Sequence, residues 1–277
     1  APVTIAHPGK GEGTVSASLD LKKGVMLRLC LVYQKGTGDA AVRVEWQSPQ
    51  TELAVRQWKQ IERATRKADA VVFVGGIDHS LDTEGRDRLS LTFPQLQETL
   101  INRLAKLNKR THVVLINGSP LEIDGWLPNV VSLTEAWYPG MEGGTAVANI
   151  LFGKTNPSGR MPFTWPKKLE DAPSYKFGYQ DNDNVLYTEG LKVGYRYFDT
   201  AQVEPEFTFG YGLSYTTFDY RNLQLRKTGA TTVLGSVEVH NTGSIDGSEL
   251  VQVYVKPLRP SVERPQHELK WFKKVFV

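Results

Sequence analysis

Ala68-Asp69-Ala70-Val71-Val72-Phe73-Val74-Gly75-Gly76 is a short apolar run that stops at two glycines. Its length and β-branched content make it a buried strand, and a strand without alternation is one covered on both faces, as in a parallel sheet. Upstream, Leu53, Ala54, Trp58, Ile61 and Thr65 fall on one helical face. Downstream, a second helix is expected to begin near Pro94, with Thr92 as N-cap and Leu96, Leu100, Leu104 and Leu107 as its stripe. Two further apolar runs follow, His112-Val113-Val114-Leu115-Ile116 and Val130-Val131-Ser132-Leu133, and then a helix over Gly144 to Phe152. Helix, strand, helix, strand, strand and helix at this spacing predict a parallel α/β layer, with strands near 70–74, 113–117 and 130–134.

The flanks have a different texture. Between Gly13 and Trp46, short strand-like runs are separated by Lys- and Gly-rich turns. After residue 217, Val233, Val237 and Val239 alternate with polar residues, and so do Val251, Val253 and Val255, across the turn Asn241-Thr242-Gly243-Ser244-Ile245-Asp246-Gly247. The final run, Glu268 to Val277, is also strand-like. A sandwich of the fibronectin type III kind takes about seven strands, and three or four fit here. The chain is therefore expected to be a piece of a longer polypeptide or one half of a two-chain assembly.

Composition narrows the function. The 277 residues carry a net charge of +3 and no basic tract, which gives little support to a nucleic-acid or membrane-surface role. A single cysteine, Cys30, excludes an internal disulfide and any multi-cysteine metal site, and its apolar neighbours make it a small buried hydrophobe. The five histidines show no metal-ligand spacing, no cofactor motif is complete, and compartment cannot be read.

One loop stands out. Ligands of open α/β sheets bind beyond the carboxyl ends of the strands, and the long segment Gly75 to Leu91 leaves such an end with Asp78, Asp82, Glu84 and Asp87 on it. Glu84 is the leading candidate because Gly85 beside it allows close approach of a ligand. Asp87 and Arg88 are expected to pair and stiffen the loop. A solvated charged turn is the bland alternative.

Five stretches carry a resemblance: ADAVVFVGG, TEGRDRLSL, WYPGMEGGTAVANILFGKTNPSGRMPFTWP, YTEGLKVGYRYFD and FTFGYGLSYTTF. In order and spacing they resemble the carboxyl-terminal half of glycoside hydrolase family 3, in particular β-glucosidases with a protective-antigen-type β-domain inserted in the α/β sandwich. The resemblance implies that residues 1–50 are the tail of that insert and 51–167 the α/β sandwich. It further implies that 168–216 form a linker packed between domains and that 217–277 start a fibronectin type III-like domain. It implies Glu84 as general acid/base, Asp87 and Arg88 as its supports, and no cofactor or metal.

The family nucleophile is an aspartate on a preceding (β/α)8 barrel, which this chain does not carry. The implied partners are that barrel and a β-glucoside or oligosaccharide, with a homo-oligomer left open. Two readings stand at this point. In one the chain supplies the acid/base half of a retaining exo-acting β-glucosidase, or of a β-xylosidase. In the other it is a catalytically silent carbohydrate-binding or scaffolding piece.

Overall fold

Helix α1, Glu52–Lys67, leads into strand β1, Val71–Gly76, in the computed structural model. The structure describes residues 52–277 apart from 86, 95 and 178–185, and omits the side chains of 52–56. The assignments made for 1–50 and for Cys30 lie outside the described residues. Helix α2 is Gln97–Leu107, and β2 (Thr111–Ile116) and β3 (Ser132–Glu135) complete a parallel sheet in the order β1-β2-β3. Helix α3, Gly143–Leu151, follows. The parallel layer is thus as expected, with strand ends shifted by one or two residues.

The register explains the core. Phe73, Val113 and Leu133 lie side by side across the three strands. They meet Ile101 of α2, together with Leu115, Leu121, Ile123, Trp126 and Trp165. Phe93 packs its ring edge-to-face on Trp126, with centroids 5.8 Å apart, a favoured aromatic geometry.

Two helix expectations need correction. Helix α2 starts at Gln97, not near Pro94, and Leu96 stands before it in a left-handed conformation (φ 63°) and is exposed. The buried stripe is therefore Ile101, Leu104 and Ala105, not one that begins at Leu96. Helix α1 covers less than its pattern promised, because Ile61 is exposed although Thr65 is buried. What ties α1 down is polar: the Asn108 side-chain amide donates to the carbonyls of Thr65 (3.1 Å) and Ala68 (2.7 Å) at its C-terminal end.

The connecting segment wraps back onto the sheet layer. Two short helices, α4 (Pro173–Phe177) and α5 (Tyr195–Ala201), lie in it, and Trp165 bridges to Phe207 through backbone bonds. Trp165 is fully buried, and its indole N–H donates to the carbonyl of Leu121 at 2.8 Å. Trp165→Phe removes that donor and strands a buried carbonyl. It is expected to cost about 1–3 kcal/mol of stability, read as a lower urea midpoint at an unchanged m-value.

The carboxyl-terminal part is two antiparallel hairpins. Strand β4 (Phe218–Lys227) pairs with β5 (Val233–Asn241), and β6 (Ser248–Val255) pairs with β7 (Glu268–Phe276). The alternating valines predicted β5 and β6, and the strand-like final run predicted β7, whereas β4 was not singled out in the sequence. The Gly/Pro-rich segment after α3 holds the hairpins to the α/β layer. Arg160 pairs with Glu249 of β6 at 2.5 Å, and Tyr220 of β4 donates to the same carboxylate at 2.8 Å. The Asn156 amide donates to the Asp246 carbonyl (3.1 Å) and accepts from Ser214 Oγ (2.9 Å) and the Tyr215 N–H (2.8 Å).

Candidate active site

The site is built from the three turns that leave the carboxyl ends of β1, β2 and β3, where an open parallel sheet presents its ligand-binding edge. The first turn begins at Gly76, whose φ of 140° is closed to ordinary side chains. The Gln97 side chain clasps this residue, accepting from its N–H at 2.9 Å and donating to its carbonyl at 2.8 Å. An amide side chain thereby bonds the strand end as a neighbouring strand would. Beside it lies a cleft of about 390 Å³ lined by Gly75, Gly76, Asp78, Leu81, Pro94 and Gln97. Glu84 is not part of that lining.

The loop then turns on Asp78, whose carboxylate accepts from the Ser80 N–H (2.9 Å) and Oγ (2.5 Å). Those two bonds hold its carboxyl below the ordinary carboxylate range. Asp82 is the anchor. Its carboxylate accepts from the Gly118 N–H (3.0 Å) and Ser119 Oγ (3.1 Å) of the turn after β2, and from the Tyr138 hydroxyl (2.9 Å) of the turn after β3. Three donors from two different turns fix one carboxylate, which is how a charged loop becomes an ordered one.

Glu84 follows two residues later, exposed and in a turn, with Gly85 at φ 75°. Arg86 is outside the described residues. The ion pair expected between Asp87 and Arg88 is not what holds the loop. Asp87 is exposed, and the Arg88 guanidinium donates to Ser119 Oγ (3.0 Å) and the Pro120 carbonyl (2.8 Å). Burial lowers the pKa of Arg88 while the Asp82 charge opposes that shift. The loop closes where the Glu122 N–H donates to the Leu91 carbonyl at 2.8 Å, with Leu91 and Phe93 buried.

Sequence reasoning passed over the residues beneath this loop. Asn117, fully buried after β2, donates through Nδ2 to the Ser119 carbonyl (3.0 Å) and to Glu135 Oε2 (3.1 Å). The other oxygen of Glu135, at the end of β3, accepts from the Trp137 N–H at 2.8 Å, and Trp137 holds a left-handed φ of 53°. Burial raises the Glu135 carboxyl to about 7, against the lowering effect of the Trp137 and Asn117 bonds. Burial, reinforced by the Asp82 bond, likewise raises the Tyr138 phenol. The available signal was positional: Asn117 and Glu135 are polar residues at the carboxyl ends of apolar strands.

Chemically, the arrangement offers exposed carboxylates, Glu84 among them, on a loop anchored at Asp82. A carboxylate can give or take a proton, but among the described residues none sits opposite Glu84 as a nucleophile.

The family model described as the glycosyl hydrolase family 3 C-terminal domain matches residues 9–215. The thermostable beta-glucosidase B of Acetivibrio thermocellus is 40% identical over 261 residues, which cover 93% of this chain and 33% of that protein. An exo-alpha-(1->6)-L-arabinopyranosidase of Bifidobacterium breve is 41% identical over 212 residues, covering 76% and 28%. Among solved structures, a GH3 beta-glucosidase of Bifidobacterium adolescentis superposes with a TM-score of 0.76 at 40% identity, covering 79% of this chain and 32% of that one. The chain thus spans about a third of the length of the relatives it matches. By sequence and by fold, it belongs to glycosyl hydrolase family 3, as that family's C-terminal domain.

Proposed function

We propose that this chain is the acid/base-bearing portion of a retaining, exo-acting β-glucosidase that removes terminal non-reducing β-D-glucosyl residues. Glu84 is the general acid/base. It protonates the glycosidic oxygen as the bond to the anomeric carbon breaks, then takes a proton from the water that releases the glycosyl-enzyme. The nucleophilic aspartate is on a (β/α)8 barrel that joins this chain to make the complete enzyme. Retaining chemistry needs two carboxyl groups about 5 Å apart, so the barrel mouth faces the carboxyl edge of the parallel sheet.

The observation that carries this reading is the placement of Glu84. It is exposed at that edge, two residues beyond the triply anchored Asp82. Asp82 and Arg88 support the loop, and Asp87 lies on its open side. Glucose as the sugar rests on the names of the relatives, which are mostly beta-glucosidases and include arabinopyranosidases.

The test is direct. Purified chain alone is expected to leave 4-nitrophenyl β-D-glucoside intact, because a lone carboxylate can donate a proton but cannot trap the oxocarbenium-like centre. The same chain joined to its barrel is expected to turn it over. Steady hydrolysis by the chain alone, lost in Glu84→Gln, would place the nucleophile within these residues and overturn the two-part reading. A joined protein with no activity would leave the silent scaffold as the correct reading.

A further inference from the structure

Every donor on Asp82 comes from one of two turns, and one side chain, Glu135, reaches both, with Arg88 bracing the first turn as well. Gly118 and Ser119 belong to the turn after β2, which Asn117 fixes by donating to the Ser119 carbonyl and to Glu135. Tyr138 belongs to the turn after β3, which Glu135 fixes by accepting from the Trp137 N–H. Glu135 itself shares the core-facing side of the sheet with Leu115, its register partner on β2. Its two oxygens therefore each hold one arm of the cradle in which Asp82 sits.

We propose that Glu135 is a positioning residue for the catalytic loop, setting the place of Glu84 through the 117–119 and 137–138 turns and Asp82. Its catalytic consequence rests on Glu84 being the acid/base, but the physical coupling does not. The ionised carboxylate accepts both N–H bonds. A proton on Glu135 Oε2 turns an acceptor into a donor facing the Asn117 amide. Asn117 Oδ1 is buried without a partner, so the amide can satisfy that proton only by turning over, which breaks its bond to the Ser119 carbonyl. Protonation therefore releases one arm.

The titratable groups in this network are Asp82, Arg88 and Tyr138, each one or more hydrogen-bonded steps away. The influences on Glu135 itself are burial and its two bonds. Two pH trends follow, of opposite sign. Because the Glu135 carboxyl is raised from 4.5 to about 7, its contribution to global stability is present at low pH and is lost as pH rises through about 7. The hold on the loop does the reverse, tightening as pH rises through the same range. A merely structural carboxylate would move both in one direction.

The experiment is amide hydrogen exchange on the 277-residue chain, corrected for intrinsic rates. In Glu135→Gln the new NH2 must oppose, donor to donor, either the Asn117 amide or the Trp137 N–H, so one arm is lost either way. Exchange across residues 77–92 is expected to quicken about tenfold, the loss of one charge-assisted bond. Asp82→Asn is expected to give the same footprint, and the double variant to be no worse than either single. Wild type is expected to reproduce the footprint as pH falls through about 7, and Glu135→Gln to be insensitive to pH there.

Faster exchange confined to residues 132–137, with 77–92 unchanged, would overturn the inference. If Glu135→Gln does not fold, the wild-type pH series decides alone, and a flat series counts against the proposal. A footprint of the expected kind, alongside a Glu84→Ala enzyme equally impaired on all leaving groups, would remove Glu84 from catalysis and leave the coupling standing.

Discussion

Replacing Glu84 with alanine in the barrel-bearing enzyme is expected to separate substrates by leaving group. Cellobiose and alkyl glucosides should lose about 10²–10⁴-fold in the glycosylation step, the usual worth of a positioned general acid. A 2,4-dinitrophenyl glucoside should lose little there, because a dinitrophenolate departs without a proton. Its turnover should instead stall at deglycosylation, where the same residue acts as base. Azide should then restore turnover by attacking the glycosyl-enzyme without needing deprotonation, giving a β-glucosyl azide as product. The competing account makes Glu84 a loop residue only. It predicts an equal loss on every leaving group and no rescue, and that result would end the acid/base assignment.

Gly76→Ala is expected to be the most damaging single methyl in the sheet. A Cβ there would fall on the backbone of Ile116, its register partner on β2. The φ of 140° adds backbone strain that no rotamer relieves. Overpacking and strain of this kind cost about 1–3 kcal/mol each, a large part of the roughly 5–15 kcal/mol that holds a domain together. It would also misplace the backbone that Gln97 clasps, so the root of the loop would shift. Gly85→Ala provides the contrast. Its φ is also positive, but a Cβ there meets nothing within 4 Å, so only the left-handed conformation is penalised, at about 1–2 kcal/mol. Urea midpoints compare the two directly. Equal losses would mean that the close approach of the strands is not what Gly76 serves.

The parallel layer was legible because its signal is local and redundant. Three apolar runs lacking alternation, spaced by helical patterns, leave little else to build. Strands β5 and β6 were legible for the complementary reason, since Val233, Val237 and Val239, and Val251, Val253 and Val255, alternate with polar residues, but their pairing with β4 and β7 was not. The start of α2 was misread because Thr92 and Pro94 have the chemistry of a helix cap. The chain instead delays the helix to Gln97, through a left-handed Leu96, and that side chain goes to Gly76. A tertiary bond thus outweighed a local capping preference.

The loop's footing was hidden for a related reason. Asp82 lies 36 residues from Gly118 and 56 from Tyr138, and nothing in its neighbourhood announces either partner. Arg88 looked like a partner for adjacent Asp87, yet it reaches across to Ser119 and Pro120. Adjacent charges on an extended loop need not face each other. The role given to Glu84 came from the family resemblance, not from the residues around it.

The uncovered apolar surface has a consequence for how this polypeptide behaves in a tube. Val72 and Val74 stand open on β1, at 47% and 56% exposure, although both faces of a parallel sheet are ordinarily dry. Leu223, Leu225, Leu234, Trp271, Phe272 and Phe276 stand open on the hairpins. A net charge of +3 over 277 residues supplies little mutual repulsion, and strands with open apolar sides invite their own kind. Handled by itself, the chain is expected to self-associate through these sides. A kosmotropic salt such as sulfate should favour that association further, since it screens the repulsion and its exclusion from the surface strengthens apolar burial. The surface that makes it sticky alone is the surface a longer polypeptide would keep out of water.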